Sequence, residues 1–299
     1  MKNEELMIDC RKIPNVLLLG NGILKLENHG MSWDELICDI KTERKDVNYK
    51  LVPYAMQPEV VCGYEAEEIQ RIVAKKIKTN ENDNLMLKKL LAIPFDAIIT
   101  TNYTYEIERA LSGGKWSEYK RKNAFIALNG NTKVNHNTNI CNLIETAEGR
   151  KVPVFHIHGE ASRKHSMILS YYSYANILAK LIEYNKCLGN AIQEHQQDNI
   201  KMKCNSWLDY FILGNVWSVG FGLDVSEFDI WWAIERKARE NAKHGLFRAY
   251  FDGDKNKETA QSIMLDALAA KYEYIPVKNG NYELLYQKVI DAIKEVINN

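Results

Sequence analysis

Apolar residues along this chain fall into two rhythms. Short unbroken runs recur at Val16–Leu19 (VLLL), Ala97–Thr100 (AIIT), Val152–Ile157 (VPVFHI), Val216–Phe221 (VWSVGF) and Leu246–Phe251 (LFRAYF), each followed by polar or glycine-rich residues and then a helical pattern. Segments of that length, apolar on both faces and separated by helices, predict the strands of a parallel sheet covered on both sides. The fold class that follows is α/β: a doubly wound, Rossmann-like, mostly parallel sheet.

Two longer stretches break the alternation. Residues 32–91 carry apolar positions at helical spacing, as in Trp33, Leu36, Ile37 and Ile40, and residues 172–213 do the same through Ile177, Leu178, Leu181 and Ile182. They are expected to be helical insertions that form a smaller cap module on a single domain spanning residues 1–299. Single domains commonly stop growing near ~250–300 residues, so one core with insertions accounts for the length. Neither an internal repeat nor a low-complexity segment is visible.

Composition narrows the function classes. Hydrophobic residues make up 46% and charged residues 26%, ordinary usage for a folded soluble protein. Lys+Arg and Asp+Glu both count 39, so no global field draws the chain to nucleic acid or to an anionic membrane. The basic run 115–122 (KWSEYKRK) is read as a solvated loop or helix face. Acidic residues stand where a signal peptide would be positive, and no apolar run approaches bilayer length, so a cytoplasmic location is expected. The six cysteines, Cys10, Cys38, Cys62, Cys141, Cys187 and Cys204, stand singly without a C-x-x-C pair and are read as reduced thiols, several of them buried.

Four features fall at the carboxyl ends of predicted strands, where open α/β sheets hold their ligands. Gly20-Asn21-Gly22 lets backbone N–H groups approach a pyrophosphate, although the same tripeptide is an ordinary turn. Thr100-Thr101-Asn102-Tyr103-Thr104 runs into a helical pattern; Thr101 or Asn102 either caps that helix or faces a ligand. In Phe155-His156-Ile157-His158-Gly159, alternation sets both histidines on one side of the strand. His156 reads as a hydrogen-bonded core residue, whereas His158, at the strand end beside a glycine, suits proton transfer near neutrality. A metal pair is the competing reading, but no third ligand lies at a recognisable spacing. The fourth feature, Gly220-Phe221-Gly222-Leu223-Asp224, offers a second place for backbone to meet phosphate or ribose, with Asp229 in the first turn of the next helix.

The order of these motifs resembles the sirtuin-like superfamily, and is most similar to its branch in bacterial anti-phage defence. The likeness spans Val16 to about Asp254 as spaced motifs, with T-x-N followed by H-G as the specific pair. The resemblance implies that NAD is the substrate. It implies that Asn102 orients the nicotinamide ribose and the attacking water, and that His158 is the catalytic histidine. Gly20, Asn21 and Gly22 then fall at the NAD diphosphate and Gly220 and Gly222 at the adenosine half, with Thr101 and Asp229 in the same binding set.

Three departures shape the expectation. Thr104 stands where sirtuins usually carry an aspartate, the glycine turn lacks the usual serine and the proline-aspartate-phenylalanine-arginine stretch beyond it, and the four-cysteine zinc module has no counterpart. No zinc is therefore expected, and hydrolysis of NAD to nicotinamide and ADP-ribose is preferred to lysine deacylation. A non-catalytic module that senses NAD or ADP-ribose is the other alternative. By resemblance the hydrolase is expected to be held inactive until triggered, as a homo-oligomer or through a partner such as an ATPase or a phage-derived component.

Overall fold

The computed structural model describes residues 5–28, 31–40, 47–116, 125–128, 136–196, 201–240, 244–254 and 256–298. Its strands are β1 (Met7–Asp9), β2 (Asn15–Leu19), β3 (Ala97–Thr100), β4 (Phe125–Ala127), β5 (Ile140–Glu145), β6 (Lys151–His156), β7 (Lys201–Lys203), β8 (Asn215–Val219), β9 (Phe247–Asp252) and β10 (Lys271–Ile275). Eight of them form one sheet in the order β10-β9-β8-β2-β3-β6-β5-β4. The six from β10 to β6 run parallel, and β5 and β4 extend the edge antiparallel. β1 and β7 pair separately as a two-stranded ribbon.

The helices are α1 (Trp33–Ile40), α2 (Gln57–Cys62), α3 (Ala66–Lys76), α4 (Leu85–Leu91), α5 (Glu106–Leu111), α6 (His136–Asn139), α7 (Tyr171–Gln196), α8 (Trp207–Leu213), α9 (Phe228–Arg239), α10 (Ala260–Ala267) and α11 (Tyr282–Asn298). Strand periodicity divides the core into two layers. Val16, Leu18 and Ile99 point to the face covered by α7, α8 and α9, whereas Leu17, Leu19 and Ile98 point to the face covered by α4, α5 and α11. The doubly wound α/β architecture is therefore present, with β2 buried in the middle of the sheet because both of its faces are apolar.

The two helical stretches take different places. From the first, Leu36, Ile37, Ile40, Val61, Ile69 and Val73 build a small apolar cluster of their own with Met167 and Leu169, while α4 joins the main core. The second does not share that cluster: Tyr174, Ile177, Leu181, Trp207 and Phe211 pack in the main layer beside β2 and β3.

Local chemistry fixes the helix starts. Ser206 and Asp209 form a capping box on α8, Thr259 and Ser262 do so on α10, and Asn84 accepts from Leu87 N at the start of α4. Lys237, buried on α9, donates to the carbonyls of Ile212 (3.0 Å), Gly214 (2.6 Å) and His244 (3.1 Å), fastening the end of α8 and the approaches to β8 and β9. Among the described helices none is long and apolar enough to cross a membrane. Five cysteines are free thiols, with Cys141 and Cys204 buried; the side chain of Cys187 and most of the basic run, residues 117–122, lie outside the described residues.

Candidate functional site

The strand order reverses direction at β2. The chain moves from β2 to β3 and β6 on one side, then returns to β8, β9 and β10 on the other. A crevice opens outside the carboxyl ends of strands at such a point. Here it is a cleft of about 1210 Å³.

Its floor is made by two turns in contact. Gly20 N donates to Val219 O at 3.0 Å and Gly22 N to Gly220 O at 2.8 Å. The approach is so close that a Cβ on Gly20 would lie 2.4 Å from Gly220 O and 2.6 Å from Phe221 Cα. Gly20 is thus a packing glycine, absent from the cleft wall, whereas Asn21, Gly22, Gly220 and Gly222 line it. The second turn carries Leu223 at φ 48°, a left-handed conformation that costs a leucine about 1 kcal/mol and is held by its complete burial.

Asn102 follows β3 and also lines the cleft, as do Thr101 and Thr104. The capping alternative fails for both Thr101 and Asn102, because α5 begins only at Glu106 with Tyr105 at its N-cap. Asn102 is instead fixed by a network. Thr100 Oγ1 donates to Leu19 O at 2.8 Å and accepts from Asn102 N at 3.1 Å, and Asn102 Nδ2 donates to Gly20 O at 3.3 Å. His156 Nδ1 meets Asn102 O at 2.7 Å while its Nε2 meets Glu108 Oε1 at 2.7 Å. The Asn102 carbonyl can only accept, so Nδ1 of His156 donates to it, and Nε2 is left to the Glu108 carboxyl group. Burial opposes a charge on the ring, but Glu108, Glu160 and the Asn102 carbonyl overcome it and push the ring up to about 9. His156 is the hydrogen-bonded core residue expected of it.

His158 lies two residues past the last residue of β6, and Gly159 turns the chain away from it. Gly159 has φ +93°, and a Cβ there would sit 2.2 Å from Ser166 O, so only glycine fits. Ile168 N donates to His158 O at 2.8 Å and closes that turn. The buried imidazole stands edge-on to Tyr174, with centroids 5.4 Å apart at 81°. Its Nε2 is 2.9 Å from Asp229 Oδ2 and 3.6 Å from Glu227 Oε2. Burial favours the neutral ring, but the two carboxylates outweigh it and push His158 up to about 8.

Asp229 sits in the first turn of α9 as its spacing suggested, yet it stands behind His158 and not on the cleft wall. Glu227, the N-cap residue of α9, does line the cleft, and burial holds its carboxyl above the ordinary carboxylate range. The sequence reading overlooked it; the acidic pair two apart ahead of an apolar helix was the available signal. Ligand atoms of His158, Glu227 and Asp229 lie within 4.8 Å of one another, the one such set among the described residues. The third partner that spacing did not reveal therefore exists. A 2.9 Å N···O contact is a hydrogen bond, and we read the set as a histidine held by carboxylates.

Farther along the crevice, Asp252 at the end of β9 lines the cleft with Tyr250, Tyr282 and Tyr286, and Tyr282 OH donates to Asp252 Oδ2 at 3.3 Å. Asp254 does not reach it. One cavity thus brings together Asn21, Gly22, Thr101, Asn102, His158, Gly220 and Gly222, and leaves Gly20 and Asp229 just behind its wall.

No curated protein matches the chain. Residues 96–268, more than half of its length, match the family model of the SIR2-like domain; Asn102, His158 and the stretch from Gly220 to Asp229 fall inside the match, and Gly20 to Gly22 before it. On that match the chain belongs to the SIR2-like, or sirtuin-like, family, which ties it to the chemistry of NAD.

Proposed function

We propose that the protein is an NAD glycohydrolase, cleaving the bond between nicotinamide and ribose to give nicotinamide and ADP-ribose. One observation carries the reading: Asn102 and His158, 56 positions apart in sequence, line the same cleft as the two glycine turns of a SIR2-like domain. The ends of β9, β8, β2, β3 and β6 stand side by side, about 19 Å across at ~4.8 Å per strand, a width suited to an elongated dinucleotide. Asp252 and its tyrosines then belong to the adenosine half, and Asn102 and His158 to the nicotinamide ribose.

The nicotinamide ring of NAD is already cationic, so it departs neutral with the bonding electron pair and needs no general acid, unlike an ordinary glycoside. Asn102 is preset for its part. Its backbone and Nδ2 are occupied, which leaves Oδ1 to accept from a ribose hydroxyl or from water placed against C1′. Water supplies the oxygen that bonds to C1′, and His158 takes the proton lost from that water or from the ribose hydroxyl before passing it to solvent. NAD and water are consumed; nicotinamide, ADP-ribose and one proton are formed.

The order of motifs, similar to that of the anti-phage branch, supports an effector role in bacterial defence, with activity withheld until a trigger, self-assembly or a partner such as an ATPase releases it. The whole chain acts in this reading as one NAD-binding domain bearing two insertions. The test is to incubate pure protein with NAD, alone and with candidate activators, and to follow nicotinamide and ADP-ribose, with acyl-lysine peptide present in parallel. Nicotinamide formed without peptide supports hydrolysis. Nicotinamide formed only with loss of the acyl group, or tight NAD binding without turnover in any condition, contradicts it in favour of a deacylase or a sensor.

A further inference from the structure

His158 has a charged neighbour on the cleft wall that has no task in this scheme. Glu227 occupies the N-cap of α9, yet its side chain makes no capping bond there. Its carboxylate turns to the cleft, where its side chain is 16% exposed. Tyr174 OH donates to Oε2 at 3.1 Å, and the same oxygen lies 3.6 Å from His158 Nε2. Asp229, two residues on, is 1% exposed, bonds the ring at 2.9 Å and reaches no cleft surface. The two carboxylates therefore have different views: one looks at the histidine from behind, the other at whatever occupies the cleft.

Charge gives this division its meaning. Glu227 and Asp229 place two acidic groups at the end of the cleft where, in that reading, the pyridinium sits. When the C1′–N bond breaks, its electron pair leaves with nicotinamide and positive charge moves onto the ribose. A carboxylate held in place at that end favours the displaced charge more than freely reorienting water would.

We propose that Glu227 is a further catalytic residue, whose carboxylate accepts from the ribose diol of the nicotinamide half and faces the charge growing at C1′, while Asp229 is a positioning residue for His158. The inference rests on the NAD-cleavage reading. It adds no reactant: water still supplies the oxygen to C1′, and its proton leaves through His158.

The experiment is a comparison of wild type, Glu227→Gln and Glu227→Asp in nicotinamide release and in NAD binding by calorimetry. Gln keeps the size of the side chain and an oxygen for Tyr174 but not the charge. The expected result is a fall in kcat of about 10²–10³-fold for Gln, with NAD affinity within about threefold of wild type, and a smaller fall in kcat for Asp, which keeps the charge. A Gln variant that turns over within threefold of wild type overturns the inference and leaves the NAD-cleavage reading standing. Losses of affinity and kcat by the same factor also overturn it, because a group acting in the transition state spares binding. A wild type that forms no nicotinamide in any condition removes the reading itself and the inference with it.

Discussion

The contact between His158 and Asp229 makes a prediction about pH. An imidazole is ordinarily half-protonated near ~6.5, and His158 is pushed up to about 8 because Asp229 and Glu227 outweigh its burial. The gap is worth about 2 kcal/mol at ~1.36 kcal/mol per pH unit. At pH 7 about ten rings are charged for each neutral one, and only the neutral ring accepts a proton. Nicotinamide release by the active protein should therefore climb about tenfold between pH 7 and pH 9. Asp229→Asn removes the nearest charge at constant shape, so the midpoint of this limb should fall by about one unit or more. Of the remaining groups around the ring, Tyr174 and Tyr103 are raised by burial and stay neutral throughout this range. Glu227, the second carboxyl group, is itself pushed up to about 7 by burial, with Asp224 adding to the shift, and is ionised over most of this limb. The assay is initial-rate nicotinamide release against pH for both proteins. A rate flat from pH 7 to 9 in wild type, or an identical midpoint in Asp229→Asn, would refute the reasoning. The same contact has a stability sign: with the folded value raised, its contribution is complete below ~6.5 and lost as pH rises through about 8.

Two further expectations concern the scaffold. Gly20→Ala drives a Cβ into Gly220 O and Phe221, and should cost about 3 kcal/mol or more in a thermal melt, whereas Gly222→Ala, with nothing within 4 Å of its Cβ, should change stability by less than about 0.5 kcal/mol. Equal effects of the two would contradict the close packing of the turns. Lys237→Met strands three carbonyls and should lower unfolding free energy by about 3–5 kcal/mol in urea titrations; a loss below about 1 kcal/mol would show that the clamp carries little.

The parallel centre of the fold was legible because β2, β3, β6 and β8 are buried on both faces and so read as unbroken apolar runs. The edges were not. β10, with the sequence KYEYI, is only partly buried and alternates, and β5 pairs antiparallel in a hairpin-like edge that breaks the strand–helix rhythm. At the site, residues next to glycine turns were visible because a turn that needs glycine leaves a mark in the sequence. Thr101 and Asn102 looked like helix caps, but tertiary bonds to Gly20 and His156 hold Asn102 outside the helix. Asp229 was visible as an acid in a first helical turn. Its pairing with His158, across 71 residues, depends on α9 packing over the end of β6, which no local pattern encodes.

The amide and the imidazole in this cleft are assigned to the glycosidic bond of NAD, and removing either one tests that assignment. The direct measurement is nicotinamide release by wild type, Asn102→Ala and His158→Ala, purified alike and assayed under the condition that activates wild type, with melting temperatures recorded to confirm folding. Wild type should release nicotinamide rapidly, and each folded variant should lose at least about 10²-fold. Equal release by all three proteins would contradict the assignment.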